Sequence, residues 1–212
     1  MRLLVIDHGS CDPPATRVHA LRAALRDHGG EAVACGPSSI PGLAEQPPGL
    51  RGIHFHDLAA ANRGFLAAVR DGSPAAFLAA TGSISPSLLG LARETARQTI
   101  AEAVDDLDPD AIVVLHAGMF ADLAIETGVP VVLHVAAADL AAAGGSPRLT
   151  ELVAAALGSA EALIAADDDT ARRLRADWLD ADAAAVCETW PALPESAARF
   201  LAACRRAINR RA

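Results

Sequence analysis

The sequence contains no lysine and no tyrosine: its 18 basic residues are all arginine, and aromatic residues make up only 3% of the chain. The first absence excludes any mechanism that draws a lysine from this chain, whether as Schiff base, general base or phosphate clamp. The second leaves a core of Ala, Leu and Val, in which close helix packing replaces ring burial. Cysteine is scarce as well. Cys11, Cys35, Cys187 and Cys204 form no CxxC pair, which argues against a disulfide framework or zinc cluster. Reduced thiols in a cytoplasmic protein are expected instead. No apolar run reaches the roughly 18 residues of a membrane span. No signal peptide fits an N-terminus that enters a strand after one arginine. The net charge of −8 argues against a nucleic-acid backbone or an anionic membrane as the main partner. GxGxxG, GxSxG and P-loop motifs are missing, so a usual dinucleotide fold, a serine hydrolase and a nucleotide kinase are all unsupported.

What is present is a strand–helix alternation along all 212 residues. Its centre is the stretch from Asp108 to Asp139, DPDAIVVLHAGMFADLAIETGVPVVLHVAAAD. This reads as two buried strands, Ala111–His116 and Val129–Val135, joined by a short helix over Met119–Thr127. Before it come a strand Arg2–Asp7, a loop His8–Pro14, a helix Ala15–His28 and a strand Glu31–Cys35. Residues 36–50, rich in Pro and Gly, read as a surface loop. A strand Gly52–Phe55 and a helix Asn62–Arg70 follow. Asp71–Ser85 reads as a loop with a brief apolar turn, and Pro86–Leu107 as the longest helix. After the central stretch come a helix Ser146–Leu157, a strand Ala162–Ala166 and a helix through Trp178 capped by Asp169 or Thr170. A strand Ala183–Cys187 and a helix Pro194–Asn209 close the chain. The pattern predicts one Rossmann-like domain over residues 1–212, an α/β fold with a doubly wound, mainly parallel sheet.

Five of the seven histidines fall at carboxyl ends of these strands: His8, His54, His56, His116 and His134. Asp7, Asp57, Asp139 and Asp167–Asp169 lie nearby in sequence. That rim is where open parallel sheets bind ligands. One histidine there is as readily explained by a bond to loop backbone. Convergence of several points to a polar site. His54 and His56 form an HxH on one strand face, yet nothing else in the spacing completes a metal site. In the loop HGSCDPP, Gly9 and its neighbouring amides suit an anion at the start of a helix. An ordinary turn capped by Ser10 or Asp12 suits the same residues.

The run PDAIVVLHAGMFADLAIETGVPVVLHVAAADL, followed by SAEALIAADDDTARRL, resembles the N-terminal half of a family 4 retaining glycosyltransferase of GT-B fold. The opening IDHGSCDPPATRVHALRAALRDHGGEAVACGPS is similar to that family's first βαβ unit. The resemblance covers about residues 1–190. It departs where the family's HG.D motif reads Ala136-Ala137-Ala138-Asp139, and it takes in no part of the family's second, donor-binding domain. The resemblance implies an acceptor-binding half without a cofactor of its own, its nucleotide-sugar held by a separate donor-domain polypeptide or within a homo-oligomer. It implies that His116 contacts the reacting sugar hydroxyl. His8, Gly9, Ser10, Arg17, His134 and Asp139 would line the cleft for a small-molecule acceptor. Two alternatives stand beside it. One is a non-catalytic relative that binds a ligand or partner. The other is a small cobalt or nickel tetrapyrrole chelatase, whose HGSRDP start HGSCDP resembles over some twenty residues.

Overall fold

The computed structural model describes residues 1–9, 16–39, 48–55, 58, 62–180, 187–189 and 197–211; for 16–21, 187–189 and 197 it describes the backbone alone. Seven strands form one sheet, parallel at every pairing: β1 (Arg2–Ile6), β2 (Glu31–Ser38), β3 (Leu50–His54), β4 (Ala111–Val114), β5 (Val131–Val135), β6 (Ala162–Ala165) and β7 (Cys187–Thr189). Their order is β3-β2-β1-β4-β5-β6-β7. The helices are α1 (Thr16–Asp27), α2 (Arg63–Asp71), α3 (Pro74–Ser83), α4 (Pro86–Leu107), α5 (Ala121–Glu126), α6 (Ala137–Gly144), α7 (Pro147–Ser159), α8 (Asp168–Asp177) and α9 (Ala197–Arg211). The α/β Rossmann-like fold with a doubly wound parallel sheet is therefore present.

Strand alternation divides the core into two layers. Leu4 and Ile6 of β1, Ile112 and Val114 of β4, and Val131, Leu133 and Val135 of β5 face one layer, covered by α2 to α8. Leu3, Val5, Ala111, Val113 and Val132 face the other, covered by α1 and α9. The crossover β1–α1–β2 thus runs over one face and β4–α5–β5 over the opposite one. Opposite faces and opposite directions from the β1/β4 seam give the two crossovers the same hand, as parallel connections require.

Three expectations need correction. β2 does not end at Cys35 but continues through Gly36, Pro37 and Ser38, paired with β3. The pairing of β2 with β1 stops at Cys35, so beyond it the described ladder runs to β3 alone. A proline, which lacks a ladder donor, is tolerated at such a place. Residues 74–83, read as loop, form α3. Here DGSP is punctuation between two helices rather than a loop. Gly72, with φ 75°, ends α2, and Ser73 caps α3 by accepting the Ala76 N–H. The cap of α8 is Asp167, which accepts the Thr170 N–H at 2.7 Å, not Asp169 or Thr170. That bond holds the Asp167 carboxyl below its usual range. The expected strand over residues 183–187 falls mostly outside the described residues.

Among the described residues, no helix is long and apolar enough to cross a membrane. Cys35 and Cys204 are buried free thiols, and burial pushes each up to about 12. At pH 8 the reactive thiolate is then roughly one part in ten thousand. Iodoacetamide should leave both unmodified in the native protein and modify both in urea, read by peptide mass mapping. Native-state labelling of either one would contradict this burial.

Candidate functional site

β1 and β4 are neighbours, and their chains depart to opposite faces of the sheet. This is the topological switch point, where open α/β sheets place ligands. Asp7, His8 and Gly9 leave β1 there, and His116, Ala117 and Gly118 follow β4. The two ends are tied together by the Leu115 N–H, which donates to Ile6 O at 2.9 Å.

His116 continues the alternation of Ile112 and Val114, so its ring enters the layer covered by α2 to α8. It is 5% exposed. Its Nδ1 lies 2.8 Å from Asp139 Oδ1. The other carboxylate oxygen accepts the Ala117 N–H at 3.0 Å and the Ala136 N–H at 2.8 Å. Asp139 thus starts α6 from its first turn, reaching back to a residue that has no polar side chain of its own. A carboxylate offers only lone pairs, so Nδ1 carries the proton and Nε2 is left as an acceptor. Among the described residues Nε2 has no hydrogen-bond partner. Asp7 Oδ1, itself an acceptor, lies 3.9 Å away and takes the Gly9 N–H at 3.0 Å. Leaving a polar atom buried in this way costs about 1–3 kcal/mol, a cost that a native fold rarely carries without a use.

His8 is fully buried beside this pair. Its Nε2 accepts the Phe120 N–H at 3.4 Å. The ring sits 4.5 Å from Phe120 and meets His116 edge-on at 5.9 Å. Phe55, Phe65 and Phe77 pack behind as a ring cluster. Gly118 lets the two loops close: a Cβ there would stand 2.7 Å from His8 Nε2 and 2.3 Å from Leu78 Cδ2. Arg93 of α4 holds the far end of the loop. It donates to Met119 O at 3.0 Å and grips Asp122 with both terminal nitrogens, at 3.1 and 2.6 Å. This ion pair is mostly buried and bidentate, so it fixes direction as well as distance.

No model of a known protein family matches the chain, and no curated protein matches it either. Solved structures do match. A sucrose-phosphate synthase structure from Thermosynechococcus elongatus aligns over 99% of this chain and 99% of its own, with TM-score 0.57 and 12% identity. The UDP-GlcNAc 2-epimerase of Methanocaldococcus jannaschii aligns over 90% of this chain and 45% of its own, with TM-score 0.52 and 11% identity. Another UDP-N-acetylglucosamine 2-epimerase aligns over 86% and 46%, with TM-score 0.51 and 12% identity. The chain spans about half the length of these epimerases. The likeness is to proteins of the GT-B glycosyltransferase-like kind, and at such identities it shows the fold alone.

Of the residues singled out in the sequence, the structure brings together His8, Gly9, His116 and Asp139. It does not bring His134 to them. His134 follows Val132 on the other face, where its Nδ1 meets Leu115 O at 3.3 Å and its ring lies 6.0 Å from Phe200 of α9. The histidines therefore do not share one side of the rim. Ser10, His56 and Asp57 lie outside the described residues, and so does the side chain of Arg17, whose backbone belongs to α1. Among the described residues, no three His, Cys, Asp or Glu side chains are placed to hold a metal ion together. Gly118, Phe120 and Arg93 escape sequence reasoning. Gly118 does leave a trace there, as the glycine two residues past a strand-end histidine. Arg93 leaves none, because its partners lie 26 and 29 positions away.

Proposed function

We propose that this chain is the acceptor-binding half of a family 4 GT-B glycosyltransferase, acting in the cytoplasm with a nucleotide-sugar held by a donor-domain polypeptide or a second copy. The observation that carries this reading is the His116–Asp139 pair at the switch point, with Nε2 an oriented acceptor. In it, an acceptor hydroxyl donates its hydrogen to Nε2. As the hydroxyl oxygen bonds to the sugar carbon, the bond from that carbon to the diphosphate breaks and the proton passes to His116. Asp139 keeps the ring in the required tautomer and stabilises the imidazolium that forms. The nucleoside diphosphate leaves on the partner, whose cations must meet its charge, since this chain has no lysine. Arg17, at the start of α1, is the arginine of this chain proposed to face an anionic group of the acceptor. A non-catalytic binding role is the second reading. It is favoured by the depth of the site, since His116 is 5% exposed.

The test is release of nucleoside diphosphate from UDP-glucose, UDP-GlcNAc and GDP-mannose by the chain alone, by a candidate donor-domain polypeptide alone, and by their mixture. Turnover is expected from the mixture only. His116→Ala should lower it by roughly 100-fold or more, the usual share of a positioned base. Turnover indifferent to that substitution would remove His116 from the reaction. Tight partner binding with no turnover under any condition would favour the non-catalytic reading.

A further inference from the structure

The outer face of α2 presents Arg63, Leu66, Ala67 and Arg70, at the i, i+3, i+4 and i+7 spacing of a single helix face, while Phe65 and Val69 are buried behind. With Asp71 these side chains line a groove of about 620 Å³. Both arginines are exposed, and among the described residues neither makes a hydrogen bond or an ion pair. The Asp71 carboxylate is committed elsewhere, its Oδ1 accepting the Ser73 N–H at 3.1 Å. Arg63 opens α2, which has no acidic residue in its first turn. A cation there stands at the end where the helix dipole is already positive, and an anion in the groove would relieve both charges. Two helical turns, about 10 Å, separate the Cα atoms of Arg63 and Arg70, which leaves both guanidiniums within reach of one anion over Ala67. The groove also has a place in the fold. α2 ends at Gly72, whose carbonyl oxygen stands 3.0 Å from the position a Cβ would take on Gly9. The helix that carries the two arginines therefore abuts the loop leaving β1 at the switch point.

We infer that Arg63 and Arg70 form a subsite for a phosphate monoester on the acceptor. The charge count selects the group. Two guanidiniums bring two positive charges and two planar forks of donors. A phosphate monoester brings nearly two negative charges and three acceptor oxygens at neutral pH, where a carboxylate brings one charge and two oxygens. Leu66 and Ala67 keep the floor between the arginines apolar, and the small side chain of Ala67 leaves room for the anion. This rests on the acceptor-binding reading above and gives the acceptor's anionic group its chemistry, with Arg63 and Arg70 meeting it in addition to Arg17. The diphosphate of the sugar donor is a second source of phosphate, but in that reading it is held by the partner.

The test is calorimetric titration of the full chain with glucose 6-phosphate, glucose, acetate and UDP. Glucose 6-phosphate is expected to bind saturably, with glucose and acetate at least about tenfold weaker. Arg63→Gln and Arg70→Gln should each weaken it about tenfold. Arg205→Gln, an exposed position of α9 on the other side of the sheet, should leave it unchanged. Ala67→Glu places a carboxylate four residues after Arg63 and three before Arg70, so it should abolish binding without lowering stability to urea. Glucose 6-phosphate bound no more tightly than glucose, an equal loss from Arg205→Gln, or binding that survives Ala67→Glu would overturn the inference. So would UDP bound more tightly than glucose 6-phosphate through the same two arginines, which would give the groove to the donor. Turnover by the mixture with unphosphorylated acceptors as good as phosphorylated ones would sink the phosphate subsite and leave the transferase reading standing. Arginine-dependent binding of glucose 6-phosphate with no turnover by any mixture would do the reverse.

Discussion

Asp139→Ala is expected to destabilise the protein by roughly 3–5 kcal/mol, the range for removing one member of a buried, hydrogen-bonded charged network. Three donors lose their acceptor at once: the His116 Nδ1–H, the Ala117 N–H and the Ala136 N–H. The His116 and Ala117 donors gain no water, because His116 is 5% and Ala117 0% exposed. The loss reaches two elements, since the same carboxylate opens α6 and fixes the loop that follows β4. Asp139→Asn keeps its carbonyl oxygen on the Ala117 and Ala136 N–H groups, turns its amide toward His116 Nδ1 and should cost about half as much. Urea unfolding of the three proteins measures this directly. A second readout separates the bond from the fold: the hydrogen-bonded Nδ1 proton of His116 should vanish from the downfield ¹H spectrum in both variants. A cost below about 1 kcal/mol for the alanine would mean that the site opens to water far more readily than its burial implies.

The sheet was legible because its strands are continuous apolar runs. LLVI, AIVV and VVLHV are too short for helices and too apolar for a half-exposed strand, which leaves a parallel sheet covered on both faces. Pro86–Leu107 was legible to the residue, since Pro86 opens the helix and its buried stripe of Leu89, Ala92, Ala96 and Ile100 has one periodicity. What failed was punctuation. The Gly-Ser-Pro of DGSP marks a cap between two helices as readily as a loop, and only the burial of Phe77 and Leu78 decides between them. α6 escaped for a related reason: its first turn draws its cap from Asp139 at its third position rather than from a polar residue before it.

The site was legible in part, and the division follows strand geometry. Period-two alternation places His116 with Val114 and Ile112, and the same rule places His134 with Val132, on the opposite face. Both end strands at the carboxyl rim, so position along the chain suggested a shared site. Face was the missing coordinate. It depends on which layer each strand's odd and even residues enter, and that is fixed only by the register between β4 and β5, in which Ile112 stands beside Val131. His8 is different again. It lies two residues beyond the end of β1, where alternation no longer governs, and it is held by the backbone of Phe120, 112 positions away.

That contact makes the second large effect predictable. Gly118→Ala should cost about 1–3 kcal/mol, because the added methyl has no open side to enter. Its Cβ would stand 2.3 Å from Leu78 Cδ2 and 2.7 Å from His8 Nε2. The first neighbour is the tip of a leucine and can rotate away. The second is the edge of a ring packed 4.5 Å from Phe120, and it has no such freedom. Relief through Leu78 is therefore partial, and the double variant Leu78→Ala/Gly118→Ala tests the split. Its destabilisation should fall short of the sum of the singles by about 0.5–1 kcal/mol, a coupling expected of residues in contact. It should still exceed that of Leu78→Ala alone, because the clash with His8 survives. Strict additivity by urea unfolding would show that the methyl is accommodated by movement of the β4 loop as a whole. The Phe120–His8 bond would then break, and the grip of Arg93 on Met119 O would be too weak to hold that loop in place.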